Sequence, residues 1–273
     1  MYGLKEAGVI AFGQLIRYIV PHGYKPAPCT PGLCNHTTRP TTFTLCVEDL
    51  GVNFFSKEDA HHLVNALKTN YEVTTDCTGS LYCGLTLYWH YAEDSVDISM
   101  PGYVIRALQK FGHTKPKLPQ NAPHKWIEPV YGLIQQHQPT TKSTTEPLDP
   151  KVITHVQSIN VTFIFYSQFD PCIPVALNEI GSKQSKATTD TMEKANWLMD
   201  YLHTYLNAAF RFHVSNMILN ISSDTAYLMQ HKACSRIAVH YRLGWINEPD
   251  CVNRPVNIIC QTLKNIVGSA TES

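Results

Sequence analysis

The stretch that most constrains this chain is Thr42 to Phe55, T-F-T-L-C-V-E-D-L-G-V-N-F-F. It reads as two short β-strands, Thr42 to Val47 and Leu50 to Phe55, built from Thr, Val, Phe and Leu with the acidic pair Glu48 and Asp49 between them. Two runs this close together can only pair antiparallel, so the carboxylates stand at the tip of a hairpin. Side chains alternate along a strand, so one of two adjacent acids turns to solvent unless the turn lets both converge on one cation.

Composition sets outer bounds on what surrounds that hairpin. The 273 residues are 44% apolar, enough to bury a substantial core in one large or two ordinary domains. Twenty-two basic residues balance twenty-two acidic ones, which argues against tight, salt-sensitive binding of nucleic acid over the whole surface and leaves room for local basic patches. The nine cysteines show no repeated C-x-x-C, and no signal-peptide core or membrane-length apolar run is present, so the sequence reads as an intracellular, reduced, soluble chain. The Asn-x-Ser/Thr sites at Asn35, Asn160 and Asn220 are then chance matches. Cys29, Cys34 and His36 lack the second half that a zinc site requires, and Cys29 to Pro40 reads as a loop.

Around the hairpin the periodicities alternate. Val9 to Val20 has Ile10, Leu15, Ile16 and Ile19 on one helical face and ends at Pro21 and Gly23. Ser56 caps a second helix with Glu58 and Asp59 in its first turn and His62, Leu63, Ala66 and Leu67 at helical spacing through Thr69. Leu81 to Trp89 alternates as a strand with Ser95 to Met100 as partner, and Gly84 allows a bulge or a close approach. A helix follows over Tyr103 to Phe111, then a Pro-, Thr- and Gln-rich linker. Helices are predicted over Pro150 to Phe169, Pro174 to Gln184 and Thr189 to Leu206, and strands over Phe210 to Val214, Met217 to Ser222, Arg236 to Leu243 and Val256 to Leu263, with Asp224 at a strand end.

These motifs, in this order, resemble the reverse transcriptase of copia-type LTR retrotransposons. Y-G-L-K-E-A-G at Tyr2 to Gly8 is similar to the Y-G-L-K-Q motif opening a palm helix, and V-E-D-L stands where the family has its acidic hairpin. L-Y-C-G-L-T-L resembles the segment that forms the hairpin gripping the primer end, and the run from Ile98 to Gly112 resembles the lead into the thumb. I-S-S-D-T-A-Y around Asp224 and S-R-I-A-V-H-Y-R-L-G resemble the start of the RNase H domain. The resemblance implies an α+β fold: partial palm and start of thumb over 1–112, linker over 113–149, helical connection over 150–207, and an incomplete RNase H-like sheet over 208–273.

It also implies roles. Glu48, Asp49 and Asp224 match catalytic, Mg²⁺-holding carboxylates, and Lys5, Leu81, Tyr82, Cys83 and Gly84 match positions that contact nucleotide or primer. The partner implied is a primer-template or RNA/DNA hybrid, with no membrane. Glu6 and Val9 replace the family's Gln and Arg, removing polar or positive character near an anionic substrate. The family's third palm carboxylate lies upstream of Y-G-L-K, and only Glu272 matches its T-E-A-E-Y motif. The expectation is an inactive fragment of an RNA-directed DNA polymerase. A noncatalytic nucleic-acid-binding remnant, or a helix-rich interaction protein with purely structural acids, are the other readings.

Overall fold

The computed structural model describes residues 6–126, 147–230, 234–246 and 253–263. They form an α+β protein with several antiparallel sheets and six α-helices, in two compact units, Met1–Leu87 and Tyr88–Ser273.

The first unit is a four-stranded meander covered on one face by two helices. Strands β1 (Tyr24–Pro26), β2 (Leu33–His36), β3 (Thr41–Cys46) and β4 (Asp49–Phe54) pair antiparallel in chain order. Helix α1 (Ala7–Ile19) supplies Leu15 and Ile19, helix α2 (Lys57–Lys68) supplies Leu63 and Leu67, and these close on Tyr24, Cys34 and Phe43 of the sheet. Ile10, predicted to face inward, is half exposed, because the helix meets the sheet only through its C-terminal half. The expected loop over Cys29 to Pro40 contains β2, whose Cys34 is fully buried as an apolar side chain. Both ring nitrogens of His36 are engaged by backbone: Nδ1 accepts from the Thr38 and Arg39 N–H groups at 3.1 and 2.9 Å, and Nε2 donates to the His22 carbonyl at 3.0 Å.

Helix α2 starts as the sequence predicts. Ser56 Oγ accepts the Asp59 N–H at 3.3 Å, the Ser56 N–H reaches back to Asp59 Oδ2 at 3.3 Å, and Arg39 closes an ion pair on the same carboxylate at 2.9 Å. After α2 the chain enters β5 (Leu81–Tyr82), turns at Cys83 and Gly84, and leaves along β6 (Leu85–His90). The single strand expected over Leu81 to Trp89 is therefore a hairpin. Cys83 and Gly84 both take positive φ, +51° and +75°, the combination that closes a two-residue turn matching strand twist.

In the second unit β7 (Ser95–Ser99) pairs with β8 (Ala209–His213), with Asp97 opposite Arg211. Helices α3 (Tyr103–Lys110), α4 (Pro150–Tyr166), α5 (Pro174–Lys183) and α6 (Thr189–Thr204) bury Val104, Ile159, Phe163, Ile180, Leu198 and Leu202. Tyr103 stacks on Tyr166 at 5.6 Å and donates its hydroxyl to the Thr162 carbonyl at 2.9 Å. Residues 113–126 carry no helix or strand, yet they are strapped along the end of α6. His113 meets Asp200 at 2.8 Å, the Gln120 N–H donates to Thr204 Oγ1 at 3.0 Å, and Trp197 Nε1 donates to the Ala122 carbonyl at 2.9 Å. The rest of the predicted linker, 127–146, lies outside the described residues.

The tail forms a three-stranded antiparallel sheet in the order β11 (Asn257–Thr262), β10 (Cys234–Gly244), β9 (Ile218–Gln230). Two expectations are corrected here. The Phe210 strand belongs to β7 and not to this sheet, and Asp224 lies in the middle of β9, opposite Ala238, not at a strand end. The polar run S-S-D-T does not stop β9, because Ser222, Ser223 and Asp224 stay exposed on the faces of the sheet while their backbone pairs with His240, Val239 and Ala238. No helix among the described residues is long and apolar enough to cross a membrane.

Candidate functional site

The acidic tip of the first unit is where the predicted site residues meet. Strand alternation sends Thr41, Phe43 and Leu45, and across from them Leu50 and Val52, toward the helices; Thr44, Cys46, Asp49 and Gly51 fall on the other face. The hairpin closes through a two-residue turn, Val47 and Glu48, with Cys46 directly opposite Asp49. Glu48 therefore sits in the turn and Asp49 is the first residue of β4, and both are exposed.

The β5–β6 turn lies against the outer face of that hairpin. The Cys83 N–H donates to Asp49 Oδ2 at 3.1 Å, and Tyr82 and Thr44 share a hydroxyl–hydroxyl hydrogen bond of 2.9 Å. Gly51 makes the approach possible: a Cβ there would stand 3.0 Å from Thr44 Oγ1 and 3.1 Å from the Tyr82 ring. Burial pushes the Tyr82 hydroxyl above its ordinary range. The Cys83 thiol is pushed up to about 11, first by burial, then by a hydrogen bond with the Cys46 thiol, with the Asp49 charge adding to the shift.

The structure thus joins four of the predicted residues, Asp49, Tyr82, Cys83 and Glu48, at one tip. Leu81 lies 64% exposed on the same turn, and Gly84 supplies its second positive φ. Lys5 and Glu272 lie outside the described residues. Asp224 belongs to the second unit, is exposed, and accepts the Thr225 N–H on Oδ1 at 2.8 Å. Thr44, Cys46 and Gly51 complete the tip beyond the residues that the motifs point to. Their signal was available, since all three share the period-two face of Asp49 once the turn is placed between Cys46 and Asp49.

A magnesium ion fits this donor set in one limited sense. Mg²⁺ keeps several waters and is held by substrate phosphates together with one or two carboxylates, and Glu48 and Asp49 Oδ1 can supply the carboxylate oxygens. Paired metals need more: among the described residues no group of three or more His, Cys, Asp or Glu side chains gathers in a metal-holding arrangement. No protein-family model matches the chain, and neither does any curated protein or solved structure.

Proposed function

We propose that the chain is a reverse-transcriptase remnant of the copia type, in which the first unit corresponds to palm and primer grip and the tail sheet to the RNase H region. The observation that supports this most is the Asp49–Cys83 hydrogen bond, which brings the turn resembling a primer grip onto the acidic hairpin resembling the polymerase site. In that reading Tyr82, Cys83 and Gly84 lie beside a primer end, and Glu48 and Asp49 face the phosphates of a nucleotide with any Mg²⁺ they recruit. The partner is a primer-template or RNA/DNA hybrid, met without catalysis.

Charge and reach both weigh against catalysis at this tip. When bound, a metal pair would activate the primer oxygen and steady the departing pyrophosphate. Two carboxylates supply two negative charges, with one Asp49 oxygen already accepting an N–H. Glu48 carries one more methylene than aspartate, moving its carboxylate by about 1.5 Å, and a misplacement of ~1 Å costs ~10²-fold in rate. On a primed RNA template with Mg²⁺, the protein is expected to add no nucleotides, and Glu48→Asp alone is expected not to restore synthesis. Primer extension abolished by Asp49→Ala would overturn the inactive reading. Filter binding of an RNA/DNA hybrid across a salt series separates the remaining readings: a remnant that holds the hybrid loses affinity as salt rises, whereas a protein whose acids are purely structural shows no binding to lose.

A further inference from the structure

Polymerase chemistry has no use for the two thiols at the acidic tip. Cys46 ends β3, is exposed, and is the cross-strand partner of Asp49. Cys83 occupies the β5–β6 turn, half-buried, and its N–H is bonded to that same Asp49 at 3.1 Å. Asp49 is thus flanked by two cysteines far apart in sequence, Cys46 across the β3–β4 ladder and Cys83 at its carboxylate. We propose that Cys46 and Cys83 form a reversible intramolecular disulfide that locks the β5–β6 turn onto the acidic hairpin, with a low-molecular-weight disulfide as oxidant.

The two steps balance by thiol–disulfide exchange. The Cys46 thiolate attacks one sulfur of the small disulfide, whose S–S bond breaks; a mixed disulfide forms on Cys46 and one small thiol leaves. The Cys83 thiolate then attacks the Cys46 sulfur, forms the Cys46–Cys83 bond and expels the second small thiol. In sum the protein loses two protons and two electrons, and the oxidant becomes two thiols. Exposure assigns the first attack to Cys46. Cys83, half-buried in the turn, is less open to a small oxidant, and its contact with Asp49 holds it beside the end of β3 for the second step.

The backbone permits the closure. A disulfide requires the sulfurs to approach to about 2 Å with their Cβ atoms roughly 3.5–4.5 Å apart. Cys83 stands at the tip of a hairpin whose β5 strand has only two paired residues, Leu81 with Thr86 and Tyr82 with Leu85, so few ladder bonds resist a pivot of the turn toward Cys46. The bond would keep the turn from lifting off Asp49 and so hold that carboxylate where it is. None of this depends on nucleic acid binding at the tip.

The test is peptide mapping of the whole protein. The chain is incubated with glutathione disulfide near pH 8, quenched with an alkylating agent, digested without reduction and analysed by mass spectrometry. The expected product is a peptide pair linked through Cys46 and Cys83, while exposed Cys29 carries a single glutathione. In Cys83→Ser, Cys46 is expected to stop as the mixed disulfide, and circular dichroism checks that this variant is folded. Wild-type protein in which Cys46 ends as the glutathione adduct, or in which Cys83 is linked to Cys77, overturns the proposal whatever the variant does.

Discussion

Val47 holds φ +58° in the turn of the acidic hairpin, a left-handed conformation that a β-branched residue adopts only under strain. It is 89% exposed, so it gains no burial in return. Replacing it with glycine removes about 1–2 kcal/mol of left-handed penalty and gives back roughly 0.5–1 kcal/mol in chain entropy. Val47→Gly is therefore expected to stabilise the first unit by about 0.5–1 kcal/mol, read as a higher urea midpoint at unchanged slope. His62 is the second residue-scale lever. The Tyr24 hydroxyl bonds its Nδ1 at 3.1 Å, and burial, then the Arg39 charge and His36 and His22, hold its pKa below the ordinary imidazole range against Asp59. The unfolded chain takes up this proton near pH 6.5 while the folded one waits for lower pH. Stability from this group is whole above about pH 6.5 and is lost as pH falls from there toward the folded value. The urea midpoint is expected to drop between pH 7.5 and 5.5, and His62→Gln to shrink that drop.

At the scale of elements, the docking of one hairpin on another depends on the missing side chain at Gly51. A valine there would drive branched carbon into Thr44 Oγ1 and the Tyr82 ring, with a Cβ already at 3.0–3.1 Å. Gly51→Val is expected to separate the β5–β6 turn from the acidic tip while leaving the β3–β4 ladder paired. Amide hydrogen exchange checks this: the Cys83 N–H, bonded to Asp49 in the folded protein, should lose protection, and the β3–β4 amides should keep theirs. Equal loss in both would mean that the two hairpins form one cooperative element. The β5–β6 turn was only half legible beforehand. L-Y-C-G-L-T-L alternates as a strand, and period alone cannot show a reversal; the local hint lay in Gly84, which enters positive φ freely, while Cys83 is carried to +51° by the turn.

Across the whole molecule, each unit has its own buried centre, Phe43 with Tyr24 and Leu63 in one, Phe163 with Ile159 and Leu198 in the other. Phe163 is fully buried and its ring stands 6.2 Å from that of Phe111. Phe163→Ala removes that ring from the helical core and is expected to cost ~3–5 kcal/mol, measured by denaturant unfolding followed through the aromatic near-UV signal. What the amino-acid sequence determined by itself was local: helix starts such as the one capped by Ser56, and the acidic hairpin, whose turn falls one residue earlier than its strand pattern suggests, at Val47 and Glu48. Those follow from capping chemistry, side-chain period and turn residues, which act over a few positions. Only the tertiary structure decided that β8 pairs with β7, that 113–126 is strapped to α6, that Asp224 is held mid-strand, and that Cys83 bonds Asp49. Each of those joins residues distant along the chain, or turns on which neighbours line a strand's two edges, and no local propensity encodes which distant partner a strand, strap or turn will meet.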